Sequence, residues 1–292
     1  MTAPILVTGA TGNIGKVVVA GLLAAGVPVR AAGFHAQGVI DEFGDTVEAV
    51  ALDFTNPDTW AAAYEGVDQV FLMRPPQLSK IARDMVPSLE AAKAAGVESM
   101  VLLSLQGAEH NKTVPHHDLE VWLKESGLDW TFVRPSFFME NLTTTHLTDI
   151  RDRDNLMVPA GNGATSFVAA DDIARVAVEA LLHPADHVNK GWTPTGPEAL
   201  TYTQVAATIS DVLGREITYA KPGIFRYARH ARSVLGMPWG MVFVTIMIYS
   251  IARAGKASGL TDDVKTVTGN EPIGFAQWAK DHAEQWAPEP KH

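Results

Sequence analysis

Val7-Thr8-Gly9-Ala10-Thr11-Gly12-Asn13-Ile14-Gly15 lies between a short apolar run, residues 3–7, and a segment of helical period, residues 14–25, that stops at Gly26. Strand, glycine turn and helix in this order make the local structure a phosphate group needs. Backbone N–H groups converge at the helix N-terminus, and the helix dipole favours an anion. Each glycine has a separate part: Gly9 permits the tight turn, Gly12 lets backbone approach a diphosphate with no side chain in the way, and Gly15 lets helix and strand lie close. The spacing departs from the common G-x-G-x-x-G, so the pattern draws its weight from its place between strand and helix. The expected ligand is the diphosphate of a nicotinamide dinucleotide, held by Thr8, Gly9, Thr11, Gly12, Asn13, Ile14 and Gly15.

Outward from this turn, continuous apolar runs at 28–32, 47–52, 69–73, 99–103 and 130–133 alternate with helical segments, among them 117–126. Runs that are apolar at every position belong to strands buried on both faces, and alternating strands and helices imply a parallel sheet. The expected fold is α/β, a Rossmann-type doubly wound parallel sheet with six strands in place by about residue 135. Farther on come a strand and turn at 156–163, a capped helix at 171–182, and helices at 203–213, 224–235, 241–253, 261–268 and 273–286, with a short strand at 216–219. This divides the chain into a dinucleotide-binding domain over 1–155, with return segments near 165–195, and a smaller, mainly helical substrate or lid region over 196–292. The lid is expected over the C-terminal edge of the sheet, where open α/β folds take their ligands.

Composition narrows the function classes. A formal charge of −10 argues against nucleic acid, whose phosphates require clustered Lys and Arg. The absence of cysteine removes disulfides, thiolate nucleophiles and Cys-ligated metals. Met1-Thr2-Ala3-Pro4 has neither the basic nor the apolar part of a secretion signal, so a cytoplasmic location is expected. Residues 233–252 are uncharged and about long enough to cross a bilayer, but Gly236, Pro238 and Gly240 interrupt them. What remains, 241–252, reads as a buried helix, and no membrane partner is expected. A homodimer is compatible with the chain.

Cofactor choice is commonly written at the end of the second strand, where a carboxylate binds the ribose hydroxyls of NAD. No Asp or Glu stands between Thr8 and Asp41, whereas Arg30 and His35 offer donors to a 2′-phosphate, so NADP is favoured over NAD. Arg30 reads equally well as an ordinary strand-edge residue. Asp53-Phe54, after the third strand, would set a carboxylate and a ring beside the adenine; Asp53 would serve equally as a helix N-cap.

Residues 8–15, Leu103-Ser104-Leu105-Gln106-Gly107, Thr131-Phe132-Val133-Arg134-Pro135 and Phe137-Phe138-Met139-Glu140-Asn141-Leu142 together resemble the NmrA-like group of atypical short-chain dehydrogenases/reductases. The likeness extends to Gly161-Asn162-Gly163, Asp172-Ile173-Ala174, Leu200-Thr201-Tyr202 and Thr261-Asp262-Asp263-Val264. That group holds quinone oxidoreductases, dye reductases and catalytically silent redox sensors. The resemblance implies a nucleotide loop at 9–15, an adenine contact at Asp53-Phe54, and Leu72-Met73-Arg74-Pro75, with Pro135 and Phe137, along the ribose and nicotinamide. It also implies that Phe34 stands where many relatives place a phosphate-binding arginine, which leaves Arg30, His35 or Gln37 for that contact. Ser104 fits the serine of short-chain dehydrogenases. If Glu120 matches their usual acidic residue, His116 takes the lysine position and Lys112 the tyrosine position, and no tyrosine lies between Tyr64 and Tyr202.

Without that phenol, hydride delivery to an electron-poor acceptor is favoured over reduction of an ordinary ketone. The expected protein is an NAD(P)H-dependent reductase of an apolar conjugated acceptor such as a quinone. Ser104 and His116 would donate hydrogen bonds. Arg74, Gln106, Phe137, Phe138, Asn141 and Trp239 would contact the substrate. The rival is a non-catalytic sensor of the dinucleotide's redox state. His116-His117 does not make a metal site, because adjacent helical residues diverge by about 100° and no further ligand stands at usable spacing.

Overall fold

The computed structural model describes residues 3–287. Met1 and Thr2, expected to open a leader-free chain, and residues 288–292 lie outside the described residues. The chain divides into two units: one runs up to Pro135 and adds Ala170–Pro194 and Asp263–Asn270; the other holds Ser136–Ala169, Thr195–Asp262 and the chain from Glu271.

In the first unit the strands are β1 Ile5–Thr8, β2 Val29–Gly33, β3 Glu48–Ala51, β4 Gln69–Met73, β5 Ser99–Leu103 and β6 Asp129–Val133. Beyond them come β7 Phe137–Phe138, β8 Asn155–Leu156, β9 Ala164–Val168, β10 Lys190–Trp192, β11 Ala199–Thr201 and β12 Thr218–Tyr219. Seven of these form one sheet in the order β10-β6-β5-β4-β1-β2-β3, parallel throughout. The chain moves outward from β1 to β3, then returns to β4 on the other side. With right-handed crossovers, that reversal places helices on both faces and opens a crevice at the C-terminal ends of β1 and β4. The seventh strand, β10, was not expected; three residues rich in Lys and Gly carry too little apolar signal.

The helix Asn13–Ala24 buries Ile14, Gly15, Val18, Val19 and Leu22, a single stripe at helical spacing. It packs on the helix Ala170–Leu182 of the same unit, while residues 165–169 belong to the second unit. The unit boundary falls at Pro135, ahead of the expected 155, because the chain leaves the sheet directly behind β6. The helix Asp263–Thr268 belongs here too, and not to the C-terminal region to which residues 261–268 were assigned. Asp263 Oδ2 accepts from the Thr193 N–H at 2.6 Å just after β10, which ties the two segments together.

The second unit carries β9 between antiparallel β11 and parallel β7, and a two-stranded pair of β8 and β12. Helices Tyr202–Leu213, Ile224–Ser233, Trp239–Arg253 and Phe275–Asp281 complete it. The first of these starts at a capping box in which Thr201 and Gln204 satisfy each other's backbone N–H groups. Phe167, Tyr202, Tyr249, Phe275 and Trp278 fill its core. One expectation is corrected: 241–252 is not a buried helix. The helix begins earlier, at Trp239 behind Pro238, and buries only Val242, Tyr249 and Ala252. Among the described residues no helix is long and apolar enough to cross a membrane.

Candidate functional site

At the end of β1 the three glycines differ in what they exclude. Gly9 has φ +62°, and a Cβ there would overlap Met73 Cε at 1.9 Å. A Cβ on Gly15 would stand 2.2 Å from the Gly9 carbonyl oxygen, so helix and turn touch through backbone. Gly12 is the least confined of the three: its Cβ would stand 3.2 Å from that oxygen and 3.5 Å from Met73 Cε, a tight contact but a far smaller overlap than at Gly9 or Gly15. Gly12 occupies the N-cap position with no side-chain cap, and the first helical turn contains no acidic residue. Exposed Thr11 and Asn13 border this open, uncapped end, while Ile14 is packed beneath it. These features fit a dinucleotide diphosphate: free backbone donors, a positive dipole end, and a glycine whose missing side chain leaves room. Thr8 is corrected as a direct ligand. Its hydroxyl donates to the Phe71 carbonyl at 3.1 Å and accepts from the Met73 N–H at 2.8 Å, stitching β1 to β4.

Arg30 is corrected more firmly. It lies in the first half of β2, away from the ligand edge, and is nearly buried. One guanidinium nitrogen donates to the Ala63 and Glu65 carbonyls at 3.2 and 2.6 Å, and the other pairs with Glu48 at 2.9 Å. At the end of β2 stand Phe34, exposed, and His35, their rings edge to face at 4.7 Å. Gln37 donates instead to Asp41. Asp53 accepts from the Thr55 N–H and hydroxyl at 2.8 and 2.7 Å, so it closes a turn and caps no helix. Phe54 is buried in the core beside Leu52 and Tyr64, which removes it as an adenine contact. Leu72 is likewise buried core, whereas Met73 reaches under Gly9.

Ser104 directly follows β5, and its hydroxyl donates to Glu120 Oε1 at 2.6 Å. Glu120, almost fully buried, is gripped by Arg134 through both oxygens, at 2.8 and 2.6 Å. Glu109 lies 3.5 Å from the same guanidinium. Ser104, Glu120 and Arg134 thus tie the ends of β5 and β6 to the helix Pro115–Glu125, and the serine proton is already engaged. That corrects Ser104 as a donor to substrate. Glu120 and Arg134 were missed as a pair; the sequence signal was a carboxylate and an arginine, each beside an apolar run.

His116, in the first turn of that helix, has a buried Nδ1 with no partner. Burial, together with nearby Arg74 and against the pull of Glu120, lowers its pKa to about 4, so at neutral pH it is an imidazole. It can donate one N–H, but it is not a reservoir of protons. Arg74 donates from one nitrogen to the carbonyls of Pro75, Pro76 and Leu78 at 2.9–3.0 Å, holding the loop after β4. Its Nε is buried and unpartnered, and burial lowers its pKa. Gln106 and Pro135 are joined by a backbone hydrogen bond of 3.0 Å. Among the described residues no cluster of His, Asp or Glu could hold a metal ion.

Phe137, Phe138, Asn141 and Trp239 all belong to the second unit. Phe137 packs against Phe167 and Tyr249, both at 5.6 Å between ring centres. With Asn141, His146, Met241, Ile248 and Tyr249 it lines a cavity of about 680 Å³. His146 Nε2 and the Tyr249 hydroxyl are hydrogen-bonded to each other, and both side chains are buried. Burial and neighbouring His230 lower the His146 pKa to about 4, and burial drives that of Tyr249 well above its ordinary value, so both are neutral at pH 7. Sequence reading missed this pair, 103 residues apart in the chain. Trp239 lies outside this cavity, exposed beneath the Arg232 guanidinium at 5.5 Å.

The sequence profile of the NmrA-like family matches residues 1–228. The chain belongs to the NmrA-like family. Among its relatives is an NAD(P)H azoreductase of Xenophilus azovorans, 36% identical over 290 residues, covering 96% of this chain and 98% of the relative. Two solved structures share the NmrA-like fold seen here. The NADPH-dependent quinone oxidoreductase of Escherichia coli, complexed with NADPH, superposes with a TM-score of 0.85 at 23% identity, covering 95% of this chain and 99% of that one. The triphenylmethane reductase of Citrobacter, complexed with NADP(H), gives 0.83 at 22% identity, with 96% and 99% covered.

Proposed function

We propose that this NmrA-like chain is an NAD(P)H-dependent oxidoreductase that passes a hydride to a flat, apolar, conjugated acceptor such as a quinone or an azo compound. The observation that carries the reading is the turn after β1, where the uncapped N-terminus of the first helix opens at Gly12, the glycine that the fold confines least. A diphosphate lying against that end would add a demand for glycine at position 12 beyond the fold's own. The extensive likeness to an azoreductase supports the same reaction class.

Gly12 and the N–H groups of the first helical turn would hold the diphosphate, with Thr11 and Asn13 at its edge. Met73 and Arg74, after β4, would border the nicotinamide ribose. When bound, the dinucleotide supplies a hydride. Neutral His116 would donate an N–H toward negative charge developing on the acceptor, and protons would come from water, since Ser104 is engaged by Glu120. That division suits quinones and azo groups, whose conjugation spreads the charge, better than an unactivated ketone. With Arg30 committed elsewhere, His35 is the remaining charged or donor side chain at the end of β2 for a 2′-phosphate. We therefore infer a mild preference for NADPH, with NADH accepted.

Absorbance at 340 nm, followed with NADPH and a naphthoquinone or an azo dye, tests the proposal: oxidation above the protein-free rate in wild type, and its loss in Gly12→Val, are expected. One observation favours a second reading, a non-catalytic dinucleotide sensor. The serine proton is engaged and the histidine is unprotonated, so neither Ser104 nor His116 is a ready proton donor. Tight NADPH binding with no turnover of quinone, dye or aldehyde would select the sensor.

A further inference from the structure

We infer that the face formed by the helices Ile224–Ser233 and Trp239–Arg253 docks on an anionic lipid surface. The second helix has no charge before its last residue and buries only three side chains, although it is apolar nearly all round. A helix of that kind is ordinarily buried in a core or in lipid. Here Phe225, at 92% exposure, and Trp239, Phe243, Met247, Ile248 and Ile251 face solvent. So much apolar surface gathered on two adjacent helices marks a contact site.

Charge selects the occupant. From Lys221 to Thr261 the sequence holds six Lys and Arg and no Asp or Glu, in a chain whose formal charge is −10. All six, Lys221, Arg226, Arg229, Arg232, Arg253 and Lys256, are exposed. Arg232 is held over the Trp239 ring and donates to the Met237 carbonyl at 2.5 Å, which fixes a cation beside an aromatic side chain at the edge of the apolar surface. Cations around a hydrophobic face with interfacial Trp suit the headgroup boundary of a negatively charged bilayer. A second copy is disfavoured, because a two-fold interface on this face would bring one basic segment against another with no carboxylate in either segment to pair the cations. Contact with an acidic surface elsewhere on another copy would be heterologous, giving a ring or an open filament and not a dimer. The helix Trp239–Arg253, about 22 Å long, is too short for a hydrocarbon layer of about 30 Å and would lie in the plane of the surface.

Docking does not depend on the reductase reading, but it bears on it. Met241, Val244 and Ile248 of the same helix line the 680 Å³ cavity, so an acceptor dissolved in lipid would meet that cavity without crossing bulk water.

The test uses the whole protein with no dinucleotide and no acceptor, so its outcome is separate from that of the turnover assay. Flotation with phosphatidylcholine vesicles containing about one-third phosphatidylglycerol should recover the protein, with far less recovered on phosphatidylcholine alone. Phe243→Glu with Met247→Glu, and independently Arg226→Glu with Arg229→Glu, should each lower the partition coefficient about tenfold or more while the circular-dichroism melt is unchanged. The arginine pair keeps the test decisive if the apolar pair fails to fold. Absence of binding to anionic vesicles at low salt, or binding indifferent to both pairs, overturns the inference. So does a sedimentation-velocity dimer that Phe243→Glu dissociates, which would assign the face to a second copy.

Discussion

The turn at 7–15 and the helix Trp239–Arg253 are both almost free of charge, yet the fold uses them in opposite ways. In the turn Thr8 bonds to β4, Gly9 lies over Met73 and Gly15 touches backbone, while Gly12 is the least confined glycine, between exposed Thr11 and Asn13. In the helix most of the side-chain surface is uncommitted, with Phe243 at 66% exposure. On the proposed function, the first region acts through one small opening in a tightly held turn. The second presents a surface larger than the fold can cover.

The comparison breaks first at the support behind the site. Glu120→Ala should cost about 3–5 kcal/mol of unfolding free energy, since it strands the mostly buried Arg134 guanidinium without its carboxylate. Ser104→Ala removes one hydrogen bond and should cost about 1 kcal/mol. Urea unfolding separates these outcomes, and equal losses would mean that the carboxylate is not the keystone described. Within the turn, Gly12→Val should weaken NADPH binding about a hundredfold, or about 3 kcal/mol, while the protein stays folded with a small drop in Tm. Gly15→Val should lower Tm itself. If calorimetry finds undiminished affinity in a folded Gly12→Val protein, the opening is not the ligand's.

A smaller effect is expected in acid. His116 and His146 each have a folded pKa near 4 against 6.5 in the unfolded chain. Between those values the unfolded chain binds protons that the folded one refuses, so stability present above pH 6.5 is lost as pH falls toward 4. Urea midpoints at pH 7, 5.5 and 4.5 should decline in that order, less steeply in His146→Gln; a flat profile would contradict the burial of both rings. The smallest effect concerns cofactor choice. Phe34→Arg, at the exposed end of β2, should raise the NADPH-to-NADH affinity ratio about tenfold. Arg30→Gln should leave that ratio unchanged while destabilising the fold, and a shifted ratio would restore Arg30 as a phosphate reader.

The parallel sheet could be read from the sequence because its strands are continuous apolar runs and its turns are marked by glycine, features set by neighbouring residues. β10 could not: Lys190-Gly191-Trp192 becomes a strand through pairing with β6, far off in the chain. Site residues divide in the same way. The roles of Gly9, Gly12 and Gly15 follow from local backbone geometry. Arg30, Phe54, Leu72 and Ser104 were assigned by type and spacing, and each proved to be occupied by a partner that spacing does not reveal: the Glu65 carbonyl, the core around Tyr64, the core around Met100, and Glu120. The helix 241–252 was expected to be buried because it is apolar, but apolarity states only what a helix would gain from a partner, not whether the fold provides one.

The most direct test of the central claim is paired measurement on one preparation: NADPH affinity by calorimetry, and the rate of NADPH oxidation with a naphthoquinone and with an azo dye, for wild type and Gly12→Val. Binding and turnover of at least one acceptor in wild type, both abolished in a variant whose circular dichroism shows it folded, are expected. Turnover that survives in Gly12→Val, or NADPH binding with no turnover of either acceptor in wild type, would contradict the account.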